Sequence, residues 1–249
     1  VKLDIKSGQF HMGDCLEVMK SIPDRSVDMI LCDLPYGTTQ NKWDTVIPFE
    51  PLWAEYWRVC KPNAAIVLTA SQPFTSALIM SQIEFFKYEW IWRKNAGSNF
   101  GNVKYQPMKE HENVCVFGKN KLTYNPIMQE RAEGGKSRSK YVVNDKARVR
   151  GFVQGGGLNK ELTRVISDMR VPSSVQNFNI ERGLHPTQKP VALFEYLIKT
   201  YTNEGETVLD NCMGSGTTAV AAESTGRKWI GIEKDPVYFF KTVERIIRA

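Results

Sequence analysis

The segment Glu206-Thr207-Val208-Leu209-Asp210-Asn211-Cys212-Met213-Gly214-Ser215-Gly216-Thr217-Thr218 joins an apolar run to a helical pattern through a glycine-containing loop. Glu206–Cys212 predicts a strand and the pattern from Thr217 predicts a helix. Glycines at 214 and 216 let the backbone approach a ligand closely at the helix N-terminus, where free amides and the helix dipole favour a carboxylate or phosphate. No Lys follows the last Gly and the GxxxxGK[ST] spacing is absent, so ATP chemistry is disfavoured. The next predicted strand, Lys228–Lys234, carries Glu233 near its end, about 20 residues beyond the loop, where an acidic residue suits ribose hydroxyls. A strand, a ligand loop, a helix and a second strand make one turn of a doubly wound α/β sheet.

The same rhythm extends towards the N-terminus. Strand-like runs occur at Gly8–Asp14, Val27–Asp33, Ala64–Ala70, Tyr88–Lys94 and Glu112–Gly118, which with the two above make seven. Helical patterns fall at Cys15–Lys20, Pro51–Cys60, Pro73–Phe85, Val191–Tyr201, Thr217–Ser224 and Pro236–Arg248, often with Pro near the start, where its missing N–H costs nothing. Tyr88–Lys94 and Glu112–Gly118 have no helical pattern between them and are expected to close as an antiparallel pair at one edge. The fold class predicted is α/β, a Rossmann-like, seven-stranded, mostly parallel sheet with one antiparallel edge strand.

Composition agrees with one soluble domain carrying a decoration: 249 residues, 42% hydrophobic and 24% charged. No apolar stretch approaches the roughly 20 residues that cross a bilayer, and Val1-Lys2-Leu3-Asp4-Ile5-Lys6 lacks the apolar core of a signal peptide, so a cytoplasmic protein without membrane partners is expected. Five scattered cysteines (15, 32, 60, 115 and 212) with no CxxC pair argue against a zinc site and a disulfide framework, and no metal is expected. Between Lys119 and Arg182 there are 13 Lys and Arg against 6 Asp and Glu, a surplus larger than the net +6 of the whole chain. The basic character therefore belongs to one segment, which also contains Gly134-Gly135, Gly155-Gly156-Gly157 and Lys136-Ser137-Arg138-Ser139-Lys140. It reads as an inserted module, either a polyanion-docking surface or a solvated basic loop.

A second candidate site is Asp33-Leu34-Pro35-Tyr36-Gly37, directly after the run Val27–Cys32. In a doubly wound sheet this is the carboxyl end of a strand, where ligands bind. A carboxylate, an aromatic face and a bent backbone form a receptor for a flat base with an exocyclic amine; a strand end with a turn and a buried Tyr fits the pentapeptide equally well.

Asp33-Leu34-Pro35-Tyr36 resembles the D-P-P-Y motif of amino-group DNA methyltransferases, and Gly214-Ser215-Gly216-Thr217-Thr218 resembles their S-adenosylmethionine loop. His185-Pro186-Thr187-Gln188-Lys189-Pro190 is similar to the motif that precedes that loop. Their order, catalytic motif first and cofactor loop last with a variable segment between, matches the circularly permuted β class and covers about 185 residues. The resemblance implies the S-adenosylmethionine-dependent methyltransferase fold, with residues 1–118 as the catalytic half, 119–184 as an inserted target-recognition region and 185–249 as the cofactor-binding half. It implies Asp33, Leu34, Pro35 and Tyr36 as catalytic residues. It implies the backbone around Gly214 and Gly216 at the methionine part of the cofactor, Glu233 at its ribose, Asp14 at its adenine, and Thr187 and Lys189 at its carboxylate, with Asp210, Cys212, Ser215 and Thr217 also cofactor-binding. For Asp14 the alternative is a helix N-cap, and for Lys189 a surface residue. Leu34 replaces the first proline of the motif but keeps the backbone carbonyl that makes the family's contact; Cys212 stands where the family usually has a Phe packed on the cofactor.

The activity so implied is sequence-specific transfer of a methyl group to the N6 amine of a flipped-out adenine in duplex DNA. Cytosine N4, RNA, and a catalytically inactive nucleic-acid-binding relative are the alternatives; Asp at the first motif position, where the cytosine enzymes usually resemble Ser-Pro-Pro-Tyr, favours adenine. The resemblance also leaves open a homodimer and a cognate restriction endonuclease. Arg148 and Arg150 are candidates for base readout, and Asn99, Phe100 and Tyr105 for lining the substrate cleft or for ordinary loop packing.

Overall fold

The computed structural model describes residues 1–38, 44–131, 139–143, 162–166, 168–181, 183 and 188–248. The strands are β1 (Lys2–Ile5), β2 (Gly8–Met12), β3 (Val27–Asp33), β4 (Cys60–Ala70), β5 (Phe86–Ser98), β6 (Lys109–Phe117), β7 (Gln129–Glu130), β8 (Ser139–Val143), β9 (Leu162–Ile166), β10 (Met169–Arg170), β11 (Val175–Asn177), β12 (Thr207–Asp210) and β13 (Lys228–Glu233). The α-helices are α1 (Cys15–Met19), α2 (Phe49–Val59), α3 (Phe74–Ser81), α4 (Val191–Tyr201), α5 (Thr217–Ser224) and α6 (Pro236–Arg248).

Two units result. Val1–Asn125 with Ser173–Ala249 forms one, and Pro126–Pro172 the other. The first holds a sheet in the order β1-β2-β13-β12-β3-β4-β6-β5-β11. All seven expected strands are present in it, and two short strands extend it: β1, antiparallel to β2, and β11, parallel to β5. The second addition places Val175–Asn177, within the stretch expected as insert, in the main sheet. The expected antiparallel pair is β5 with β6, but the antiparallel strand β6 lies between β4 and β5 and not at the edge. The second unit contains two antiparallel pairs, β7 with β10 and β8 with β9.

The central strands form because their runs are apolar at nearly every position, as burial on both faces requires. Met29 and Leu31 of β3, with Ala65 and Val67 of β4, face one apolar layer, where α4, α5 and α6 contribute Leu193, Phe194, Leu197, Ala222 and Phe239. Their neighbours Ile30, Cys32, Ile66 and Leu68 face the other, filled from α1, α2 and α3 by Met19, Leu52, Trp53, Tyr56 and Leu78. Burying each of the larger side chains contributes about 1.5–3 kcal/mol. The consequence for the site is positional. The parallel strands β3, β12 and β13 end together at Asp33, Asp210 and Glu233, and β4 brings Thr69 into register beside Asp33. Because β6 runs the opposite way, its first residues reach that same edge, with Asn113 opposite Ala70.

Candidate active site

Asp33 ends β3 with its carboxylate held from several sides. Oδ1 accepts from the Tyr36 hydroxyl at 2.7 Å and from the Thr69 hydroxyl at 2.5 Å, while Oδ2 accepts from Lys189 Nζ at 2.6 Å. Tyr36 stacks on Phe74 of α3, with ring centroids 5.1 Å apart, and Lys189 Nζ stands 5.7 Å from the Tyr36 centroid. Burial, then Asp33 and Glu112, push the Tyr36 hydroxyl far above its ordinary range, so it stays protonated and donates. The turn after Tyr36 is closed by Asp44, whose carboxylate accepts from the Gly37 and Thr38 amides at 2.8 and 3.0 Å.

Lys189 is buried, 6% exposed, and also lies 3.4 Å from Glu112. Burial alone would lower its ammonium; Asp33 and Glu112 outweigh that and raise it. Glu112, opposed by its own burial, is nevertheless held below the usual carboxylate range by Lys189 and Lys94, the latter 2.5 Å away. Lys189 and Glu112 are therefore both charged at neutral pH through their neighbours.

The glycine loop between β12 and α5 forms the facing part of the cavity. Gly214 and Gly216 have φ of +51° and +78°, and a Cβ at 216 would meet Thr242 Cγ2 at 2.5 Å, so these positions require glycine. Asp210 holds the loop's entry, accepting from the Cys212 amide at 3.0 Å and the Thr218 hydroxyl at 2.5 Å. Burial pushes its carboxyl up to about 6, against the pull of those donors. Glu233 accepts from the Gly214 and Asp235 amides at 2.8 and 2.7 Å, and burial raises its carboxyl as well. Thr242 donates to the Gly214 carbonyl at 2.6 Å and Arg245 to the Ser215 carbonyl at 2.8 Å, fastening the loop to α6. Thr217 Oγ1 donates to the Lys189 carbonyl at 3.1 Å, which joins the loop to the Asp33 side.

These residues share one cavity of about 380 Å³, lined by Asp33, Leu34, Pro35, Tyr36, Lys189, Asp210, Cys212, Gly214, Ser215, Thr217 and Glu233. That size is suited to a small ligand. The lining fits S-adenosylmethionine in kind: carboxylates of Asp210 and Glu233 for cationic and hydroxyl groups, hydroxyls of Ser215 and Thr217, and a backbone kept open by glycine.

Of the residues expected from sequence, Asp33 to Tyr36, Lys189 and most of the loop thus come together. Gly216 supports the loop as the N-cap of α5. Asp14 does not line the cavity; it caps α1 through the Leu16 amide at 3.0 Å and pairs with Lys234 at 3.3 Å. Phe100 and Tyr105 are 66% and 88% exposed, and neither they nor Asn99 line the cavity. Thr187, with His185 and Pro186, and Arg148 and Arg150 lie outside the described residues. Sequence reading missed Thr69, Lys94 and Glu112. Thr69 had a signal, a polar residue at the carboxyl end of an apolar run beside Asp33's strand; Lys94 and Glu112 became visible only once β5 and β6 were paired.

A family model described as DNA methylase, for N6 and N4 methyltransferases, matches residues 27–244. The chain belongs to this DNA methylase family. The methylase is 30% identical over 255 residues to the DNA adenine methyltransferase YhdJ of Escherichia coli strain K12, covering 94% of this chain and 81% of that protein. It is 28% identical over 258 residues to the Type II methyltransferase M.HpaI of Haemophilus parainfluenzae, covering 94% and 72%. Among solved structures, the M1.HpyAVI–SAM complex superposes with a TM-score of 0.62 at 25% identity, covering 96% of this methylase and 99% of that chain. The PvuII DNA methyltransferase, cytosine-N4-specific, gives 0.65 at 16% identity, covering 96% and 86%, and shares the fold. No group of three or more His, Cys, Asp or Glu is gathered as for a metal, and no helix is long and apolar enough to cross a membrane, among the described residues.

Proposed function

We propose that this methylase transfers the methyl group of S-adenosylmethionine to the N6 amine of an adenine flipped out of duplex DNA, at a specific sequence. The observation that carries the reading is the Asp33 carboxylate, held by Tyr36, Thr69 and Lys189 in the same cavity as the glycine loop. A carboxylate offers about four lone-pair positions, and three are taken here, which leaves one for a hydrogen of the target amine. The Leu34 carbonyl accepts the other. With both hydrogens held, the amine lone pair is drawn out of conjugation with the ring and aimed along one line.

S-adenosylmethionine, when bound, supplies an electrophilic methyl group on a sulfonium. The backbone around Gly214 and Gly216 would hold its methionine part, Glu233 its ribose and Asp14 its adenine, with Asp210, Cys212, Ser215 and Thr217 around them and Thr187 at the carboxylate; the Lys189 ammonium, expected there from its motif, is engaged by Asp33 and Glu112 instead. The positive charge that grows on the amine is stabilised by the Asp33 carboxylate, and one amine proton passes to solvent after the methyl group has been transferred. Positioning and electrostatics carry the rate, with no metal. Flipping the base costs a few kcal/mol, and stacking on Tyr36 returns about 1–3 kcal/mol.

Residues 1–118 act as the catalytic half and 185–249 as the cofactor half. Residues 119–184, which hold the basic surplus, supply phosphate contacts and base readout. Adenine is favoured by Asp at the first motif position and by the name of the 30%-identical YhdJ. The similarity to a Type II methyltransferase supports a place in restriction–modification; a cognate endonuclease, a cytoplasmic location and a homodimer are proposed with it. Cytosine N4 is the second reading, since its amine presents the same two hydrogens.

The test is transfer of labelled methyl from S-adenosylmethionine to duplex DNA of mixed sequence, followed by nucleoside digestion and mass analysis. N6-methyladenine is expected. N4-methylcytosine moves the target to the second reading; cofactor binding with no methylated base in DNA moves it to RNA or to an inactive binding role.

A further inference from the structure

Four charged groups of alternating sign run away from the reaction centre. Asp33 Oδ2 lies 2.6 Å from Lys189 Nζ, Lys189 Nζ lies 3.4 Å from Glu112 Oε2, and Glu112 Oε1 lies 2.5 Å from Lys94 Nζ. The last three side chains are all nearly buried, at 6%, 13% and 12% exposure. Glu112 Oε2 meets Lys189 Nζ at 3.4 Å as an ion pair, the longest link of the row. Rows of buried charge are poor sources of stability, because each group loses its hydration and apolar side chains would serve as well. The row ends on Asp33, the carboxylate proposed above to accept an amine hydrogen.

We propose that Lys189, itself held by Glu112 and Lys94, is the positioning residue of methyl transfer: it fixes the Asp33 carboxylate in orientation and supplies the positive charge beside it. This deepens the reading of Asp33 as acceptor of an amine hydrogen and rests on it. The two carboxylate oxygens are clamped from different elements, Oδ1 by Tyr36 and Thr69 and Oδ2 by Lys189, so rotation about the Cβ–Cγ bond would break hydrogen bonds at both ends. Glu112 keeps the ammonium from being wholly consumed by Asp33, and Lys94 keeps Glu112 anionic. The Lys189 carbonyl, bonded to Thr217 at the start of α5, ties the clamp to the glycine loop. The charged or titratable groups around Asp33 are Tyr36 after β3, Cys32 on β3, Glu112 on β6, Lys94 on β5, Asp210 at the end of β12 and Lys189 before α4, with Lys109 of β6 acting on Glu112.

The experiment is single-turnover methyl transfer to duplex DNA, measured against pH at saturating S-adenosylmethionine, for wild type, Lys189→Met and Lys189→Met/Glu112→Gln. Loss of the cation from beside two carboxylates moves the acid limb of Lys189→Met to higher pH by about one unit or more. The charge-balanced double variant lies between it and wild type. KM for S-adenosylmethionine changes less than about threefold, under half a decade in affinity. A tenfold rise in that KM with an unmoved acid limb makes Lys189 a cofactor ligand and overturns the proposal. Should Lys189→Met not fold, the double variant alone decides, because an acid limb coincident with wild type overturns it as well. Methyl transfer by wild type with coincident limbs refutes this inference alone, whereas no transfer by any of the proteins refutes the reading on which it rests.

Discussion

On the glycine-loop side of the cavity, the hydrogen bonds that set the backbone span at most 30 residues: Cys212 and Thr218 to Asp210, Gly214 to Glu233 across 19, and Thr242 and Arg245 of α6 to the Gly214 and Ser215 carbonyls across 28 and 30. On the Asp33 side, they join Thr69 across 36 residues and Lys189 across 156. The first side is shaped by backbone conformation and amides, the second by charged side chains from separate elements. One is a strand-loop-helix unit closed mainly by the strand and helix that follow it; the other exists only where elements far apart in the chain meet. Substitutions on the loop side are therefore expected to act on folding and cofactor affinity, and those on the Asp33 side on turnover.

The sharpest break between the two is Asp33→Ala. It is expected to lower methyl transfer by about 10³-fold or more while leaving the Kd for S-adenosylmethionine within about threefold, as read by labelled transfer and by calorimetry. Turnover equal to wild type would remove Asp33 from the reaction.

Next in size is the pH response of Asp210. Below about pH 4 its carboxyl is protonated in both folded and unfolded chains, while above about 6 it is ionised in both and the native state bears the cost of burying the charge. This group's contribution therefore makes stability fall as pH rises from about 4 to about 6, by on the order of 2 kcal/mol. Asp210→Asn removes that slope, which denaturant unfolding at the two pH values measures; an unchanged slope sinks the assignment.

Gly216→Ala combines a positive φ with a collision against Thr242, and is expected to cost about 1–2 kcal/mol of stability and to weaken cofactor binding. Adding Thr242→Ser relieves the collision but not the backbone strain, so recovery in a thermal melt should be partial. Full recovery would show that strain plays no part. The smallest effect is that of Asp14→Ala, about 1 kcal/mol from the lost cap of α1. A severalfold rise in cofactor Kd is expected beside it, and an unchanged Kd would leave Asp14 as a cap alone.

The difference between the two sides also explains what could be read in advance. The glycine loop, Glu233 and Asp33 to Tyr36 are contiguous signals, because a strand end, a turn and a helix start are all local. Thr69, Lys94 and Glu112 announce nothing on their own; their meaning comes from pairing, Thr69 opposite Asp33 and Glu112 opposite Trp92. Lys189 was placed beside the cofactor by its motif, and its contact with Asp33 needed the whole sheet. The seven strands were legible from apolar runs, whereas β1 and β11, of 4 and 3 residues, are too short to show a period. The position of β6 inside the sheet was not legible either, since a hairpin fixes which strand it pairs with but not on which side its second neighbour lies.

The 156-residue separation between Asp33 and Lys189 bears on how the chain acquires activity over time. Contacts so distant in sequence carry the largest loop-closure entropy and form only when the intervening elements have docked. A nascent chain that has emerged only as far as β6 holds Asp33, Tyr36, Thr69, Lys94 and Glu112 but not the lysine that joins the two carboxylates, so Glu112 has its partner in Lys94 while Asp33 lacks a cation until the segment before α4 arrives. Closure of that contact makes the reaction centre a late event of folding, and methylation competence a property of the finished chain.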